Sequence, residues 1–514
     1  MDIKTDCSVL GKDVEITDAT VPVISPYWRL KRMNASTLLW KYDPEQNSYV
    51  PLSPLMGATL SLFNGELTVR HLSMAVQYAH NLDTLEEARN FLLHAIRSVN
   101  KESDAIVGMS EKLAPYVKKY DPLAFLKAPF EEPNQKRPAA PLSMNIMFSN
   151  ACETNCMYCY AHRRQVPPQS QLSMERWIEI FHEAHSLGIE QVALSGGDTL
   201  FRKDALTLLA ELIKLEMLFL VSTKCHVTPE MAGHLVDIGM NVPINQYTRE
   251  IQISMDGPDE NTADTLAGSP GYFQRAVDSI KNLVERGLNL RVKAVATPLN
   301  ASRVYEWIEL LTSLGVKSAY ISSYNRSFFR HEDGLFLSQE DKALIGEQFK
   351  RAKSDFPGIE LNMSDFVSEL VPEEQTSFSM TDSAEIDAEP GHRTKAKTKK
   401  WKDRAHCSGG RSSLTITPDG KVVLCDQAPQ EGVFVVGDVT SRSIMDVWNS
   451  EDLLNFAYPP RQKFVGTACY DCSDRTDCHG IKGYCFRDSF FNYGSVYAPP
   501  PACPFAPDDG MRLA

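Results

Sequence analysis

Three closely spaced cysteines are the residues of this sequence best suited to chemistry. Cys152, Cys156 and Cys159 lie within residues 150–160. Three thiolates can ligate three irons of a four-iron cluster, and spacings of three and two residues allow one loop to hold one face of it. The fourth iron would stay open for a further ligand. The same thiolates could instead form part of a zinc site, which needs a fourth sulfur or nitrogen ligand.

This spacing, with Tyr158 just before the third cysteine, resembles the loop of radical S-adenosylmethionine (radical SAM) enzymes. The resemblance implies one [4Fe-4S] cluster on the three cysteines. It also implies that S-adenosyl-L-methionine (SAM) binds the open iron, lies against Tyr158, and is cleaved reductively to methionine and a 5′-deoxyadenosyl radical.

A glycine turn follows about thirty-five residues after the cysteine loop. Residues 191–198 have the pattern of a buried strand that ends in Ser195, Gly196, Gly197 and Asp198, and glycines let backbone approach a ligand closely. This turn resembles the Gly-Gly-Glu strand end that binds the SAM amino group in the family, with an acid one methylene shorter. An ordinary turn would contain the same residue types, so the position after the cysteine loop carries the assignment.

Short apolar runs alternate with helical stretches between residues 142 and 323, which predicts a parallel sheet with crossover helices. The predicted strands are 143–148, 191–195, 218–222, 250–254, 290–296 and 318–322. Six such units fit a partial (β/α)6 barrel of the TIM-like type, the α/β fold that the radical SAM family uses.

The carboxyl ends of these strands are where ligands bind in parallel α/β folds, and both motifs lie there. Ser254, Asp256 and Asn300 also follow or end predicted strands. The family resemblance makes them candidates to bind the SAM ribose or the substrate. The alternative is that each only caps the helix that follows.

The carboxyl-terminal part of the chain contains a second group of cysteines. They are Cys407, Cys425, Cys469, Cys472, Cys478, Cys485 and Cys503. The chain opens without an apolar signal core and shows no run long enough to span a membrane, so we expect a cytoplasmic location, where metal ligation is favoured over disulfides. Paired zinc knuckles are the alternative to iron–sulfur clusters.

The order Cys-x12-Gly-x4-Cys, Cys-x2-Cys-x5-Cys and a last cysteine resembles the SPASM extension of radical SAM enzymes, which holds two auxiliary [4Fe-4S] clusters. The resemblance therefore implies three clusters in all. It assigns auxiliary cluster II to Cys469, Cys472, Cys478 and Cys503, and auxiliary cluster I to Cys407, Cys425 and Cys485.

The spacing before Cys485 departs from that pattern, because six residues separate it from Cys478 where the family has three. The seven cysteines are also one short of the eight that two such clusters use. Cys7 and Cys225 fit neither pattern and are expected to be free thiols. We hypothesise that one iron of auxiliary cluster I is open or carries an exchangeable ligand.

The amino-terminal part has the pattern of three short strands followed by three helices. The strands are predicted at 27–33, 37–42 and 49–53, and the helices at 56–63, 69–80 and 84–100. This order resembles the winged-helix-like α+β module that recognises leader peptides in ribosomal peptide (RiPP) maturation. The resemblance implies that a leader peptide adds a strand to an exposed sheet edge. A helical cap on the barrel is the alternative.

The length of 514 residues suits three domains. The expected sequence is a leader-recognition domain, a linker, a radical SAM barrel, a second linker and a cysteine-rich SPASM domain, at 1–110, 111–141, 142–365, 366–404 and 405–514. The second linker is acidic and then basic, but the net charge of −13 argues against a nucleic-acid partner. No membrane partner is expected either.

Together these parts predict a radical SAM oxidoreductase that acts on a peptide. The expected reaction installs an oxidative intramolecular cross-link, thioether or carbon–carbon, in a precursor peptide that carries a leader. An auxiliary cluster would accept the surplus electron, and flavodoxin or ferredoxin would be the external electron donor. The sequence does not identify a general base. The alternatives are a protein-directed maturase of the anaerobic sulfatase-maturing type and a non-catalytic peptide-binding iron–sulfur scaffold.

Overall fold

The computed structural model describes most of the chain, in two compact units. The described residues are 7–41, 48–126, 137–162, 166–243, 248–325, 327, 329–364 and 401–507. One unit comprises residues 1–140 with 243–247, and the other comprises 141–242 with 248–514. Of the two predicted linkers, 111–141 and 366–404, residues 127–136 and 366–400 lie outside the described residues.

The first unit contains the predicted three strands and three helices, with additional elements around them. Its elements in chain order are β1 Pro22–Ile24, β2 Trp28–Arg32, β3 Thr37–Lys41, β4 Tyr49–Leu52, α1 Pro54–Ser61, α2 Val69–Ala79, α3 Leu85–Glu102, β5 Ile106–Gly108 and α4 Pro122–Leu126. Strands β2, β3 and β4 form an antiparallel sheet in that order, and β1 pairs with β5.

Local sequence explains where the helices of this unit begin. Thr84 caps α3, and the Glu87 side chain bonds back to the Thr84 backbone, which completes a capping box. Apolar residues at helical spacing then bury Leu92 and Ile96 in the core of this unit. Phe125 of α4 belongs to the same core, so the described part of the segment 111–126 packs into this unit.

The second unit is built on parallel strands with intervening helices. Its elements are β6 Ser143–Met147, α5 Met174–Ser186, β7 Gln191–Ser195, α6 Ala205–Lys214, β8 Leu218–Thr223, α7 Pro229–Asp237, β9 Glu250–Ser254, α8 Glu260–Ala267, α9 Tyr272–Glu285, β10 Leu290–Ala296, α10 Val304–Ser313, β11 Ser318–Ser323, α11 Gln339–Asp355, β12 Glu360–Met363, β13 Ser413–Ile416, β14 Lys421–Val423, β15 Val435–Asp438, α12 Ile444–Trp448, α13 Glu451–Ala457 and α14 Phe486–Tyr493.

These strands form one ten-stranded sheet in the order β12-β11-β10-β9-β8-β7-β6-β13-β14-β15. All neighbouring pairs from β12 to β13 are parallel, and β14 and β15 are antiparallel additions. The six predicted barrel strands are present, and the chain is of the α/β class. Sequence patterns did not reveal β12, or the pairing of β13 with β6, which joins the cysteine-rich region to the barrel sheet.

Strand β10 shows how the sheet separates its two faces. Val292 and Ala294 are buried in the core against the helices, whereas Arg291, Lys293 and Val295 alternate onto the opposite, concave face. That face is therefore lined by side chains able to meet a ligand.

Among the described residues we find no helix with the length and apolar character needed to cross a membrane. No disulfide joins any of the twelve cysteines.

Candidate active site

The cysteine loop follows β6 and is fastened by its backbone to the end of α8. The Asn155 and Met157 amides donate to the carbonyls of Ala267 and Leu266, at 2.9 and 3.0 Å. Cys156 is buried, while Cys152 and Cys159 are partly exposed. The three predicted cluster ligands thus lie on one fixed loop at the carboxyl edge of the sheet, where the sequence placed them.

The glycine turn after β7 packs against the start of this loop. Gly196 has a φ of +104°, and a Cβ on Gly197 would lie 2.3 Å from the Ala151 carbonyl oxygen. The Gly197 amide donates to the Ser149 carbonyl at 2.7 Å. The two glycines therefore allow the turn and the cysteine loop to pack closely together. The sequence analysis had instead predicted that they allow close approach of a ligand.

Asp198 is buried, and its carboxylate is occupied by the protein itself. It accepts hydrogen bonds from Thr223 Oγ1 at 2.6 Å and from the backbone amides of Leu200, Lys224 and Cys225 at 3.0, 2.6 and 3.1 Å. In this structure Asp198 joins the ends of β7 and β8. Among the described residues, the neighbouring Ser195 hydroxyl is buried without a hydrogen-bond partner.

A buried polar group lies at the ends of β8 and β9. Asp256 accepts hydrogen bonds from the Tyr158 hydroxyl and from Lys224 Nζ, the latter at 2.9 Å. Lys224 also donates to the Ser254 carbonyl at 2.8 Å, and Tyr272 donates to the same carbonyl. Lys224 Nζ lies 4.7 Å from the centroid of the Tyr272 ring, a cation–π contact.

The pKa values of this group have clear physical causes. Burial, together with the Asp256 charge, raises the pKa of Tyr158 well above its usual value. Burial acts to lower the pKa of Lys224, but Asp256 and the two tyrosines outweigh it and hold the pKa well above the usual value. Lys224 is therefore a permanent cation and Tyr158 a hydrogen-bond donor.

Asn300 supports this group from the end of β10. Its side-chain amide donates to the Asp256 carbonyl at 2.8 Å and to the Val295 carbonyl at 2.9 Å, while its oxygen accepts from the Thr297 amide. These contacts make Asn300 a brace for the Asp256 loop. The structure thus brings Tyr158, Ser254, Asp256 and Asn300 together, as sequence predicted for strand ends.

Lys224 and Tyr272 were not among the predicted site residues. Lys224 directly follows β8, so its position at a strand end could have identified it as a candidate. Tyr272 begins α9, and its role depends on a contact with a distant strand end that no local pattern reveals.

The four cysteines assigned to auxiliary cluster II surround one cavity. The pocket is lined by Cys469, Cys472, Cys478 and Cys503. Burial and the neighbouring thiols raise the pKa of Cys469 to about 12, and burial raises the pKa of Cys478 to about 11. A buried thiol ionises readily only when a bound metal supplies positive charge that stabilises the thiolate.

The cysteines assigned to auxiliary cluster I also lie near one another. Burial raises the pKa of Cys425 to about 12, and the nearby Cys407 contributes to that shift. Cys425 in turn raises the pKa of Cys485, after the larger effect of burial. Most of the residues in the unusually long spacing between Cys478 and Cys485 lie in a π-helix, Thr476–Lys482.

The first and second cysteine groups are in contact through their loops. The Tyr160 hydroxyl donates to Asp426 at 3.4 Å, directly linking neighbours of Cys159 and Cys425. Gln430 accepts from Asn150 at 2.8 Å. These contacts fix the loop after β14 against the loop after β6.

The remaining two cysteines belong to none of the predicted ligand sets. Cys225 is buried in the barrel core beside Asp198, and burial raises the pKa of its thiol. Cys7 lies in the other unit.

The donor sets fit iron–sulfur clusters. Three sulfurs on one loop would leave the fourth iron of a cluster open, and the buried Cys469, Cys478 and Cys503 line one pocket with the partly exposed Cys472. Among the residues the structure describes, no three His, Cys, Asp or Glu side chains converge as ligands of a single ion.

Comparison with known families agrees with this geometry. Residues 146–311 match the Radical SAM superfamily, and residues 407–473 match the SPASM iron–sulfur cluster-binding domain. A PqqA peptide cyclase of Methylocella silvestris is 24% identical over 379 residues, which are 72% of this chain and 88% of that protein. The sporulation killing factor maturation protein SkfB of Bacillus subtilis is 27% identical over 179 residues, 34% of this chain and 40% of that protein.

A solved structure shares the fold over nearly the whole chain. The Streptococcus suis protein SuiB, in a crystal structure with the precursor peptide SuiA, superposes with a TM-score of 0.63 at 15% identity. The match covers 94% of this chain and 99% of SuiB.

Proposed function

Because the chain belongs to the radical SAM superfamily and carries a SPASM domain, we propose that it matures a ribosomally made peptide by installing an intramolecular cross-link. The similar PqqA peptide cyclases and SuiB, solved with a precursor peptide, support a peptide substrate. Within the chain itself, the observation that carries the proposal is the open edge of β4.

The edge of β4 has backbone groups directed away from its sheet. The Lys41 amide donates to the Ser48 carbonyl at 2.8 Å, and bonded and non-bonded pairs alternate along an antiparallel ladder. Tyr49 and Pro51 are therefore in non-bonded positions and direct their backbone groups outward. Pro51 has no N–H, which suits an edge strand.

A peptide strand added to this edge would find one outward donor, the Tyr49 amide, and the carbonyls of Tyr49 and Pro51. Backbone pairing of this kind gives affinity with little dependence on sequence, and side-chain pockets add selection. We assign the leader of the precursor peptide to this edge. The Tyr49 side chain is 59% exposed, so the edge is open to solvent.

The cysteine loop would hold a [4Fe-4S] cluster through Cys152, Cys156 and Cys159, and bound SAM would supply a carbon radical that abstracts hydrogen. Hydrogen bonds within the chain fix the candidate site beside this loop. Asp256 accepts from Lys224 and Tyr158, and Asp198 links the ends of β7 and β8.

A cross-link requires the removal of two hydrogens from the peptide. One leaves as a hydrogen atom from carbon to the 5′-deoxyadenosyl radical. The second would leave as a proton from the attacking thiol or ring. The cysteines between residues 407 and 503 would hold an auxiliary cluster able to take up the remaining electron. The product is a thioether or carbon–carbon bond, and an external reductant supplies the electron that cleaves SAM.

The test uses the reconstituted full-length enzyme, SAM, dithionite and a synthetic peptide encoded by the short reading frame beside the gene. We expect 5′-deoxyadenosine and a peptide lighter by two hydrogens, with no fragment ions between the linked residues. Tyr49→Pro removes the outward donor, so peptide binding should weaken about tenfold or more. Tyr49→Phe keeps the donor and is the matched control.

Each alternative function gives a different result. A hydrazine-reactive aldehyde in the product would instead identify a maturase of the sulfatase type. Absence of 5′-deoxyadenosine from protein with full iron content would show a non-catalytic scaffold. If Tyr49→Pro binds the peptide as tightly as Tyr49→Phe, the leader does not use the β4 edge, whatever the reaction.

A further inference from the structure

The segment after β11 reaches back to the cysteine loop. The Arg330 guanidinium donates to the carbonyls of Asn155 and Cys156, at 2.8 and 2.9 Å, and to the Asn155 side chain. Ser327 Oγ donates to the Cys159 carbonyl at 2.9 Å and accepts from the Arg330 amide at 3.3 Å. Two side chains of one segment thus hold three successive parts of the loop.

The loop is also held by the end of α8. The Asn155 and Met157 amides donate to the carbonyls of Ala267 and Leu266, and a Cβ on Gly268 would lie only 2.4 Å from the Asn155 carbonyl oxygen. Without Arg330, the Asn155 carbonyl would lose the guanidinium as a donor. The Cys156 carbonyl would lose the shorter of its two hydrogen bonds and keep the one from the Cys159 amide at 3.3 Å.

Within the described residues, the Arg330 guanidinium forms no ion pair with a carboxylate, whereas Arg275 lies 3.6 Å from Glu153 of the same loop. Arginine keeps its charge at all relevant pH values. In the part of the chain that the structure describes, the loop therefore carries a fixed positive charge without a carboxylate partner, hydrogen-bonded to the backbone of Cys156.

We propose that Arg330 is a positioning residue that fixes the cysteine loop and makes the cluster held there easier to reduce. Reduction adds negative charge to a group already ligated by thiolates, so a nearby cation stabilises the reduced form more than the oxidised form. The inference concerns this cluster alone and holds whether or not the peptide proposal is correct.

Two variants separate charge from geometry. Arg330→Gln removes the charge and keeps an amide donor, whereas Arg330→Lys keeps the charge and loses the planar fork. The readout is a redox titration of the reconstituted holoenzyme by electron paramagnetic resonance, following the signal that changes when SAM is added. We expect Arg330→Gln to lower the reduced fraction at a fixed potential up to about tenfold, equivalent to 59 mV for one electron. Arg330→Lys should remain near the wild type in potential but lose iron faster to a chelator.

The control is Arg303→Gln, which removes a guanidinium that binds Asp259 and Glu306 and has no bond to the cysteine loop. It should change neither potential nor iron loss. An unchanged potential in Arg330→Gln would overturn the proposal, and so would an equal shift in Arg330→Lys. Failure of both variants to take up the loop cluster would also overturn it, because Arg330 would then be required for folding rather than for tuning.

Discussion

The Lys224 ammonium lies 2.9 Å from the Asp256 carboxylate, with both side chains almost fully buried, and so joins the ends of two neighbouring barrel strands. The Asp256 backbone is held in turn by Asn300. Because each charge is buried, removal of either partner leaves the other without compensation. The pair is therefore both a structural link and the polar centre of the candidate site.

Lys224→Met should lower the free energy of unfolding by about 3–5 kcal/mol, since it leaves Asp256 buried and unpaired. Urea unfolding under anaerobic conditions measures the change. Lys214→Met is the matched control, because its ion pair with Glu211 leaves the lysine 70% exposed and should matter by less than about 0.5 kcal/mol. The double variant Lys224→Met with Asp256→Asn should recover part of the loss. No recovery would contradict the assignment of the cost to an unpaired charge.

Replacement of Cys152, Cys156 and Cys159 by alanine should remove roughly a third of the iron, from about twelve atoms to about eight, because one of three four-iron clusters is lost. Reductive cleavage of SAM should disappear with it. Iron analysis and 5′-deoxyadenosine formation are the measurements.

Cys225→Ala is the control for that experiment, because Cys225 is buried in the barrel core and belongs to neither predicted ligand set. It should keep all the iron and all the SAM cleavage. Loss of a cluster in Cys225→Ala would show that the ligand assignment is incomplete. Stoichiometric zinc without iron after anaerobic reconstitution would contradict the cluster assignment altogether.

Lys293→Met should make the protein more stable at neutral pH. Lys293 extends from β10 over the Tyr320 ring, 5.6 Å from its centroid, and burial lowers the pKa of its ammonium. Because the pKa of Lys293 is lower in the folded than in the unfolded chain, the charged form destabilises the folded protein, and this cost is fully present at pH values below both pKa values. At those pH values, each unit by which the folded pKa is lowered reduces the stability of the folded protein by about 1.4 kcal/mol.

The gain from Lys293→Met should shrink as pH rises. Between the lowered folded pKa and the unfolded pKa near 10.4, the unfolded chain binds more protons, so the stability of the wild type increases with pH. Urea unfolding at pH 7 and pH 10 measures both differences. An advantage of the variant that is equal at the two pH values would show that its origin is packing rather than charge.

The repeating part of the fold was predictable because its signals are local. The strands Gln191–Ser195, Glu250–Ser254 and Leu290–Ala296 have the predicted bounds, since buried runs end at glycine, serine or polar residues. The cysteine loop was predictable from spacing alone. The roles of its residues as cluster ligands remain predictions.

Other features depend on contacts between distant segments, which periodicity does not encode. Arg330 contacts Asn155 across 175 positions of sequence, and an arginine after a strand resembles any surface residue. Asp198 was predictable as a strand-end acid, but its four bonds to β8 and its own turn arise only in the folded sheet. Strand β13 is short and lies between Cys407 and Cys425, so its pattern was not recognised as a strand.

The pairing of β6 with β13 has a consequence for folding during synthesis. Ser143 is paired with Ser413, so one edge of the first barrel strand has no partner until the last quarter of the chain emerges. At about 5–20 residues per second the delay is on the order of tens of seconds. An unpaired strand edge invites aggregation for that time, and the nascent barrel would need a chaperone or an early partner to protect it. Expression at a low level, which keeps few such nascent chains exposed at once, should therefore recover more folded protein.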